Sequence, residues 1–206
     1  MLARQMPWQI REVRGRDARQ FLDGLASLRI RVFRDFPYLY DGDMAYERRY
    51  LETYFASPRS FVALCYSGDT LVGASTAIPL ADEDDCFRKP FLERGIDPAT
   101  VCYYGESVLQ PEMRGLGIGK EFMRVRERYA RSLPAVEKAA FCAVLRSETH
   151  PLRPAGYRPL DPFWEREGFR RQPSMTTGLP WKDLGEPDVT VKTMQFWTKD
   201  LKEKRA

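Results

Sequence analysis

The chain has 206 residues, of which 43% are hydrophobic and 13% aromatic. This length and apolar content favour one folded domain with its own core, and they exclude a wholly disordered chain. The 33 lysines and arginines against 29 aspartates and glutamates leave a net charge of only +4, which gives no support to dedicated nucleic-acid binding.

Four widely spaced cysteines and a single histidine form no zinc-binding pattern, so we expect no metal site and reduced thiols. No stretch approaches the roughly 20 apolar residues of a membrane span, and the N-terminal residues carry charges where a signal peptide needs an apolar run. We therefore expect a cytoplasmic protein without a membrane partner. Its single domain is predicted at 8–201, between short tails at 1–7 and 202–206.

Strand-like alternation and helix-like spacing follow one another along the first half of the chain. The predicted elements are, in chain order, a strand at 8–13, helices at 17–36 and 45–55, and a hairpin of strands at 60–66 and 70–78. The polar, acidic stretch at 81–99 is interpreted as a loop. This order of elements favours a mixed α/β domain.

An aromatic and acidic turn separates the two predicted helices. Proline and glycine break the helical pattern there. Four residues of the turn are candidates for substrate binding: Phe36, Tyr38, Tyr40 and Asp41. The alternative is that these aromatic rings pack a corner between two helices.

A largely apolar run at 101–109 is typical of a central strand, yet it contains one carboxylate, Glu106. A glycine-rich turn at 114–120 follows and leads into a helix whose apolar face begins at Ile118. Glycines let backbone N–H groups approach an anion, and a helix N-terminus adds roughly half a positive charge, so this turn suits a phosphate. It matches neither the Walker pattern nor G-x-G-x-x-G.

This part of the sequence resembles the GNAT superfamily of N-acetyltransferases, whose cofactor signature is Gln or Arg, two residues, Gly, one residue, and Gly or Ala. Arg114, Gly117 and Gly119 occupy those positions, and a second family feature, FWEREGF, follows at 163–169. The resemblance implies an α/β (α+β) fold, with a mixed twisted sheet flanked by helices in a single domain. It also implies acetyl-CoA as the cofactor.

The resemblance further implies how acetyl-CoA binds. The backbone at Val108 and Leu109 would pair with the pantetheine arm, and a strand at 139–145 would splay from its neighbour to admit the cofactor. The pyrophosphate would bind the amides of the turn, at Arg114, Gly115, Leu116, Gly117, Ile118, Gly119 and Lys120.

An amine acceptor has a pKa of about 10.4, so its deprotonation at pH 7 costs roughly 4.6 kcal/mol and requires a base. Glu106 is the candidate base because burial raises a carboxyl pKa, and the Val108 N–H is the candidate donor to the oxyanion. Pairing of Glu106 with an arginine for structure alone is the alternative. Members of the family often protonate the leaving thiolate with a tyrosine where this chain has Trp164, so Tyr157 is the candidate acid instead.

A proline-stiffened loop at 146–159 is expected to shape the acceptor site. His150 is a candidate for substrate binding or for base catalysis. The arginines of the loop favour an acceptor that carries a carboxylate or a phosphate. The final strand is predicted at 189–197, where an exposed edge would allow a homodimer.

These observations predict an acetyl-CoA-dependent N-acetyltransferase that transfers the acetyl group directly to a small-molecule amine. Two alternatives stay open. A protein or peptide amine would suit the acidic residues Asp41, Asp43 and Asp82 to Asp85. A non-catalytic CoA-binding module would explain the missing tyrosine.

Overall fold

The computed structural model describes residues 7–202. The predicted tails therefore lie, apart from Pro7 and Lys202, outside the described residues. Within that range eight strands form one sheet: β1 Gln9–Arg14, β2 Phe61–Ser67, β3 Thr70–Pro79, β4 Val101–Tyr103, β5 Ser107–Leu109, β6 Lys138–Val144, β7 Arg170–Trp181 and β8 Thr190–Asp200. The same range contains five α-helices: α1 Leu22–Phe33, α2 Met44–Ala56, α3 Asp85–Leu92, α4 Ile118–Arg131 and α5 Asp161–Arg166.

Helices cover both faces of a mixed sheet, which confirms the predicted fold class. The strands lie in the order β1–β2–β3–β4–β6–β8–β7, with β5 paired to β3 beyond β4. Leu25 of α1, Leu51 of α2 and Phe87 of α3 pack into one core cluster. Phe122 and Val125 of α4 pack into a second cluster. Among the described residues, no helix has the length and apolarity that crossing a membrane requires.

The strand predicted at 101–109 is interrupted by a β-bulge between β4 and β5. Gly105 N–H donates to the Thr76 carbonyl at 3.2 Å, and Thr76 N–H donates to the Glu106 carbonyl at 3.1 Å, so two residues oppose one. In a regular strand Glu106 would share the face of Tyr104, which packs in the cluster of α4. The extra residue moves Glu106 to the opposite face, toward α1 and α2.

The sheet opens beyond the bulge. β4 runs parallel to β6, and the last link between them is the hydrogen bond from Tyr104 N–H to the Ala140 carbonyl at 2.7 Å. From there β5 pairs with β3, and β6 continues against β8. In the described part of the chain no strand pairing crosses the gap between β5 and β6, which confirms the predicted splaying of the strand at 139–145.

Besides the interrupted strand at 101–109, four elements differ from the sequence predictions. The helix predicted at 17–36 starts as a 3-10 helix at Gly15–Phe21, and α1 continues from Leu22 to Phe33. The stretch at 81–99 was predicted as a loop, but it contains α3, which buries Phe87 and Phe91. Strand β7 was not predicted, because Pro173 and Pro180 interrupt its pattern. Strand β8 lies between β6 and β7 and is not an edge. The argument for a homodimer from an exposed final strand is therefore wrong, and a homodimer stays a prediction without that support.

Gly105 permits the close approach of α2 to the bulge. A Cβ at this position would lie 2.0 Å from the Tyr54 hydroxyl and 2.6 Å from Thr76 Oγ1. Gly105→Ala should therefore lower the free energy of unfolding by about 2–3 kcal/mol, measured by urea denaturation. Gly156→Ala is the control, since nothing lies within 4 Å of its added Cβ. Equal stabilities of the two variants would contradict this prediction.

Candidate active site

The bulge places Glu106 in the wall of a pocket of about 80 Å³ between the sheet and helices α1 and α2. Glu106 is 6% exposed, and its Oε2 accepts a hydrogen bond from Arg29 Nη1 at 2.6 Å. The same guanidinium binds Glu47 through Nε. One arginine therefore lies between two buried carboxylates, so the arginine partner considered as the alternative role of Glu106 is present.

Neither Arg29 nor Glu47 was identified from the sequence. Arg29 is buried beside Leu25 on α1, and Glu47 is buried on the same helix as Leu51 and Tyr54. The spacing of Glu47, Leu51 and Tyr54 follows one helix face. A charged residue at an apolar position of such a face was the signal that would have revealed both.

Burial raises the pKa of Glu106. The charge of Arg29 offsets part of this effect, and the charge of Glu47 adds to it. For Arg29, burial by itself would lower the pKa, but the charges of Glu106 and Glu47 outweigh it and raise the pKa well above its ordinary value. The guanidinium therefore stays charged, and the Glu106 carboxylate becomes a stronger base than an exposed one.

Aromatic side chains form most of the remaining wall of the pocket. They are Phe33, Tyr38, Tyr40, Tyr46, Tyr50, Phe87, Tyr103 and Trp181. Of the four predicted substrate residues, Tyr38 and Tyr40 line the pocket, whereas Phe36 and Asp41 do not. Asp41 binds Lys182 at 2.9 Å, and this contact lowers the pKa of Asp41.

Arg146 ties the loop after β6 to the aromatic turn. Its guanidinium donates to the carbonyls of Pro37 and Tyr38, both at 2.7 Å. It also binds both carboxylate oxygens of Asp183, at 2.7 and 2.9 Å. The prediction that the loop arginines favour an anionic acceptor is wrong for Arg146, because Asp183 already neutralises its charge.

The other predicted residues of this loop form a separate aromatic cluster. The ring of Phe36 lies 4.7 Å from that of Tyr157 and 5.7 Å from that of His150. Arg153 lies over Tyr157 at 5.1 Å, and burial raises the pKa of Tyr157. This cluster is not part of the wall that contains Glu106. The catalytic role of Tyr157 and the substrate role of His150 therefore stay predictions.

The glycine-rich turn before α4 faces open space. Gly115 and Gly117 have φ angles of 80° and 82°, which glycine adopts readily. No atom lies within 4 Å of a Cβ built on either residue. Because α4 begins at Ile118, the unpaired N–H groups of its first turn follow directly. This geometry fits an anion cradle.

The side chains of the turn are arranged around that cradle. Arg114 and Lys120 are exposed cations, and Arg114 lies 3.6 Å from Asp35 at the end of α1. Leu116 is exposed. A Cβ on Gly119 would approach Phe163 of α5 to 3.9 Å, so α5 packs beside the start of α4.

The register between β3 and β5 decides which amides face the gap. Val108 lies midway between Glu106 and Gln110, both of which are hydrogen-bonded to β3. Since bonded residues alternate along an antiparallel pair, the Val108 N–H also points to β3. The predicted role of Val108 as oxyanion donor is therefore wrong. Ser107 and Leu109, which alternate with it, direct their N–H groups toward the gap.

Two further side chains bear on the chemistry. Trp164 packs against Phe141 and Trp197, with ring centroids 4.9 and 5.2 Å away, so its position supplies no acid. Cys142 lines the pocket, and burial raises the pKa of its thiol to about 12. A thiol of this kind is a poor nucleophile at neutral pH.

Across residues 7–202, no group of three or more His, Cys, Asp or Glu side chains is placed to hold a metal ion.

A family model described as the acetyltransferase (GNAT) family matches residues 25–153. The chain belongs to the GNAT acetyltransferase family. This membership confirms the resemblance in sequence, and acetyl-CoA is the cofactor of these acetyltransferases. A search of curated proteins gives no match.

Solved structures are similar to the GNAT chain in fold at low sequence identity. The protein yncA from Salmonella typhimurium, solved with its cofactor acetyl-CoA, is 12% identical with a TM-score of 0.58 over 97% of both chains. NAA60 from Arabidopsis thaliana, in complex with a bisubstrate analogue, is 12% identical with a TM-score of 0.59 over 93% of this chain and 99% of that one. GphF, a GNAT-like decarboxylase in complex with isobutyryl-CoA, is 17% identical with a TM-score of 0.58 over 94% and 100%. At these identities the likeness shows the fold alone.

Tyr54, which lies beside Gly105 of the bulge, donates from its hydroxyl to Oε1 of Glu83 at 2.6 Å. Burial raises the pKa of Glu83 from 4.5 to about 7. The folded protein therefore keeps this proton to a higher pH than the unfolded chain does. The contribution of Glu83 to the free energy of unfolding is therefore greatest below pH 4.5. It falls by about 3 kcal/mol as the pH rises to about 7.

Urea denaturation at several pH values tests this linkage. Between about pH 5 and 8, the free energy of unfolding should fall more steeply for the parent protein than for Glu83→Gln. Glu52→Gln, an exposed change on α2, should keep the parent slope. The same slope in the parent and in Glu83→Gln would show that Glu83 titrates normally.

Proposed function

We propose that the protein is an acetyl-CoA-dependent N-acetyltransferase that acetylates a small-molecule amine directly. The observation that carries this proposal is the position of Glu106. It is a buried carboxylate with a raised pKa, it lines a pocket, and it lies at the point where β5 and β6 part. Membership of the GNAT family supports acetyl-CoA as the donor, and the pocket provides a base beside the gap.

The residues along the gap fit acetyl-CoA. The N–H group of Leu109 would bind the pantetheine arm, and that of Ser107, in place of Val108, would bind the acetyl carbonyl oxygen. The cradle at 114–120 would hold the pyrophosphate, because its glycines leave room and the start of α4 offers unpaired N–H groups. Arg114 and Lys120 would add compensating charge.

Bound acetyl-CoA supplies an activated thioester. Glu106 removes one proton from the acceptor ammonium, and the nitrogen lone pair then attacks the acetyl carbonyl carbon. The Ser107 N–H would stabilise the negative charge that develops on the carbonyl oxygen. The nitrogen–carbon bond forms, the carbon–sulfur bond breaks, and the second proton of the nitrogen goes to the CoA thiolate.

The free oxygen of Glu106 favours catalysis over a purely structural role. Oε2 is occupied by Arg29, and Oε1 is buried without a hydrogen-bond partner among the described residues, although the Thr76 hydroxyl lies near the carboxyl group. A carboxylate used only to neutralise an arginine gains nothing from leaving one oxygen unpaired. A base needs such a free oxygen, whereas a non-catalytic CoA-binding module does not.

The acidic residues that suggested a peptide acceptor are engaged locally. The pairs are Asp41 with Lys182, Asp82 with Arg59 and Asp85 with Arg88, and the side chain of Asp43 caps α2. The charges of Asp41, Asp82 and Asp85 are therefore already matched, which weakens the case for a groove that binds a cationic peptide. The burial of Glu106 in a small pocket favours a small molecule instead.

Glu106→Gln should lower kcat/KM at pH 7 by about 100-fold or more, because the amide cannot accept the proton. The loss should shrink at higher pH, where more of the amine is already deprotonated. Release of CoA thiol over a panel of amines measures the activity, and calorimetry checks that acetyl-CoA still binds. Glu52→Gln is the control. Activity within a few-fold of the parent would identify another base.

Gly117→Glu should abolish acetyl-CoA binding in calorimetric titration, because the new side chain fills the cradle with bulk and negative charge. Gly185→Glu is a matched control. Gly185 has a φ of 81°, and likewise nothing lies within 4 Å of its added Cβ. Both variants therefore carry the same backbone strain and the same added charge. Equal affinities for acetyl-CoA would contradict the placement of the cofactor at this turn.

A further inference from the structure

The charges in the pocket do not balance. Glu47 is fully buried, Glu106 is 6% exposed and Arg29 is 7% exposed. Arg29 is the one basic residue among the described residues that line the pocket, and it neutralises only one of the two carboxylates. The cluster thus carries a net charge of −1 when all three groups are ionised.

Each carboxylate also has a free oxygen. Oε1 of Glu47 and Oε1 of Glu106 are buried without a hydrogen-bond partner among the described residues, although the Tyr40 hydroxyl lies near Glu47 and the Thr76 hydroxyl near Glu106. A buried carboxylate oxygen without a donor is costly. Two such oxygens in one pocket wall are the arrangement that a ligand with several N–H donors and one positive charge would complete.

The aromatic walls favour the same ligand. The Arg29 guanidinium lies over the rings of Tyr50 at 4.3 Å and Phe33 at 5.0 Å, so ring faces in this pocket already accept a cation. Tyr38, Tyr46 and Trp181 extend the wall. Aromatic ring faces attract an ammonium group and repel a carboxylate.

We infer that this pocket selects a small primary ammonium ion without an adjacent carboxylate or phosphate, and that Glu47 is the residue that determines this selectivity. The inference rests on the proposed function and deepens it. Glu47 and Glu106 hold the ammonium between their free oxygens, and Glu106 then takes its proton. An anionic group beside the amine would add charge to a pocket in which Arg29, the one arginine among its described lining residues, is already shared by two carboxylates.

Equilibrium binding tests this selectivity without turnover. The probes are isobutylamine and phenethylamine, their neutral alcohols isobutanol and phenethyl alcohol, and valine and phenylalanine, which add a carboxylate beside the same amine. Calorimetry gives the affinities. The amines should bind about tenfold or more tightly than the alcohols and the amino acids. Equal or tighter binding of valine, phenylalanine or the alcohols would overturn the inference.

Glu47→Gln keeps the size of the side chain and removes its charge. It should weaken amine binding by roughly 30-fold and leave the affinity for the alcohols unchanged. Glu52→Gln on the same helix is the control, because Glu52 pairs with Arg19 at the surface. If Glu47→Gln does not fold, Tyr46→Leu at the 38% exposed pocket wall should still weaken amine binding about two- to fivefold. If Glu47→Gln folds and binds the amines as tightly as the parent protein does, Glu47 does not determine the selectivity.

Activity assays separate the two proposals. Selective amine binding with no acetyl transfer to any of these amines would reject the proposed function and keep the pocket selectivity. Acetyl transfer to amino acids or lysine peptides in preference to the small amines would keep the acetyltransferase and reject the selectivity. Acetyl transfer to the small amines that falls in Glu47→Gln through KM, with kcat retained, is the result that supports both.

Discussion

The buried carboxylates of Glu47 and Glu106 are compatible with folding only because the Arg29 guanidinium binds both of them. A single unpaired charge in the same place would cost several kcal/mol. The three side chains come from α2, from the bulge and from α1, so their pairing holds both helices against one point of the sheet. The pocket is the space that this arrangement leaves between them.

The bulge places one member of that charge cluster, Glu106, between the pocket and the opening in the sheet. One extra residue moves Glu106 from the face of α4 to the face of α1 and α2. The sheet opens immediately afterwards, because among the described residues β6 pairs with β4 and β8, whereas β5 pairs with β3. A pocket for an acceptor and a gap for a cofactor thus meet at the same carboxylate. Gly105 makes this approach possible, because any Cβ there would collide with Tyr54.

The fold by itself does not name the reaction, since a GNAT-like decarboxylase has the same architecture at 17% identity. In this chain, α1, α2 and the turn between them form about half of the wall of the pocket that contains Glu106. Arg146 holds that turn by its Pro37 and Tyr38 carbonyls, and Asp183 fixes the guanidinium in place. The aromatic wall is therefore held by a buried ion pair instead of by loop packing alone.

Features that depend on neighbouring residues were predictable from the sequence by itself: the family, the glycine-rich turn at 114–120, and Glu106 as an unusual carboxylate in an apolar strand. Glycine conformations and apolar periodicity are local properties of the chain. The partners of Glu106 were not predictable, because Arg29 lies 77 residues away and reaches it only when α1 packs on the sheet. The amides that face the gap were misassigned to Val108 for the same reason, since the register with β3 sets their direction. The sequence thus determined the glycine-rich turn and the unusual carboxylate. Tertiary packing decided which charged groups pair and which amides face the gap.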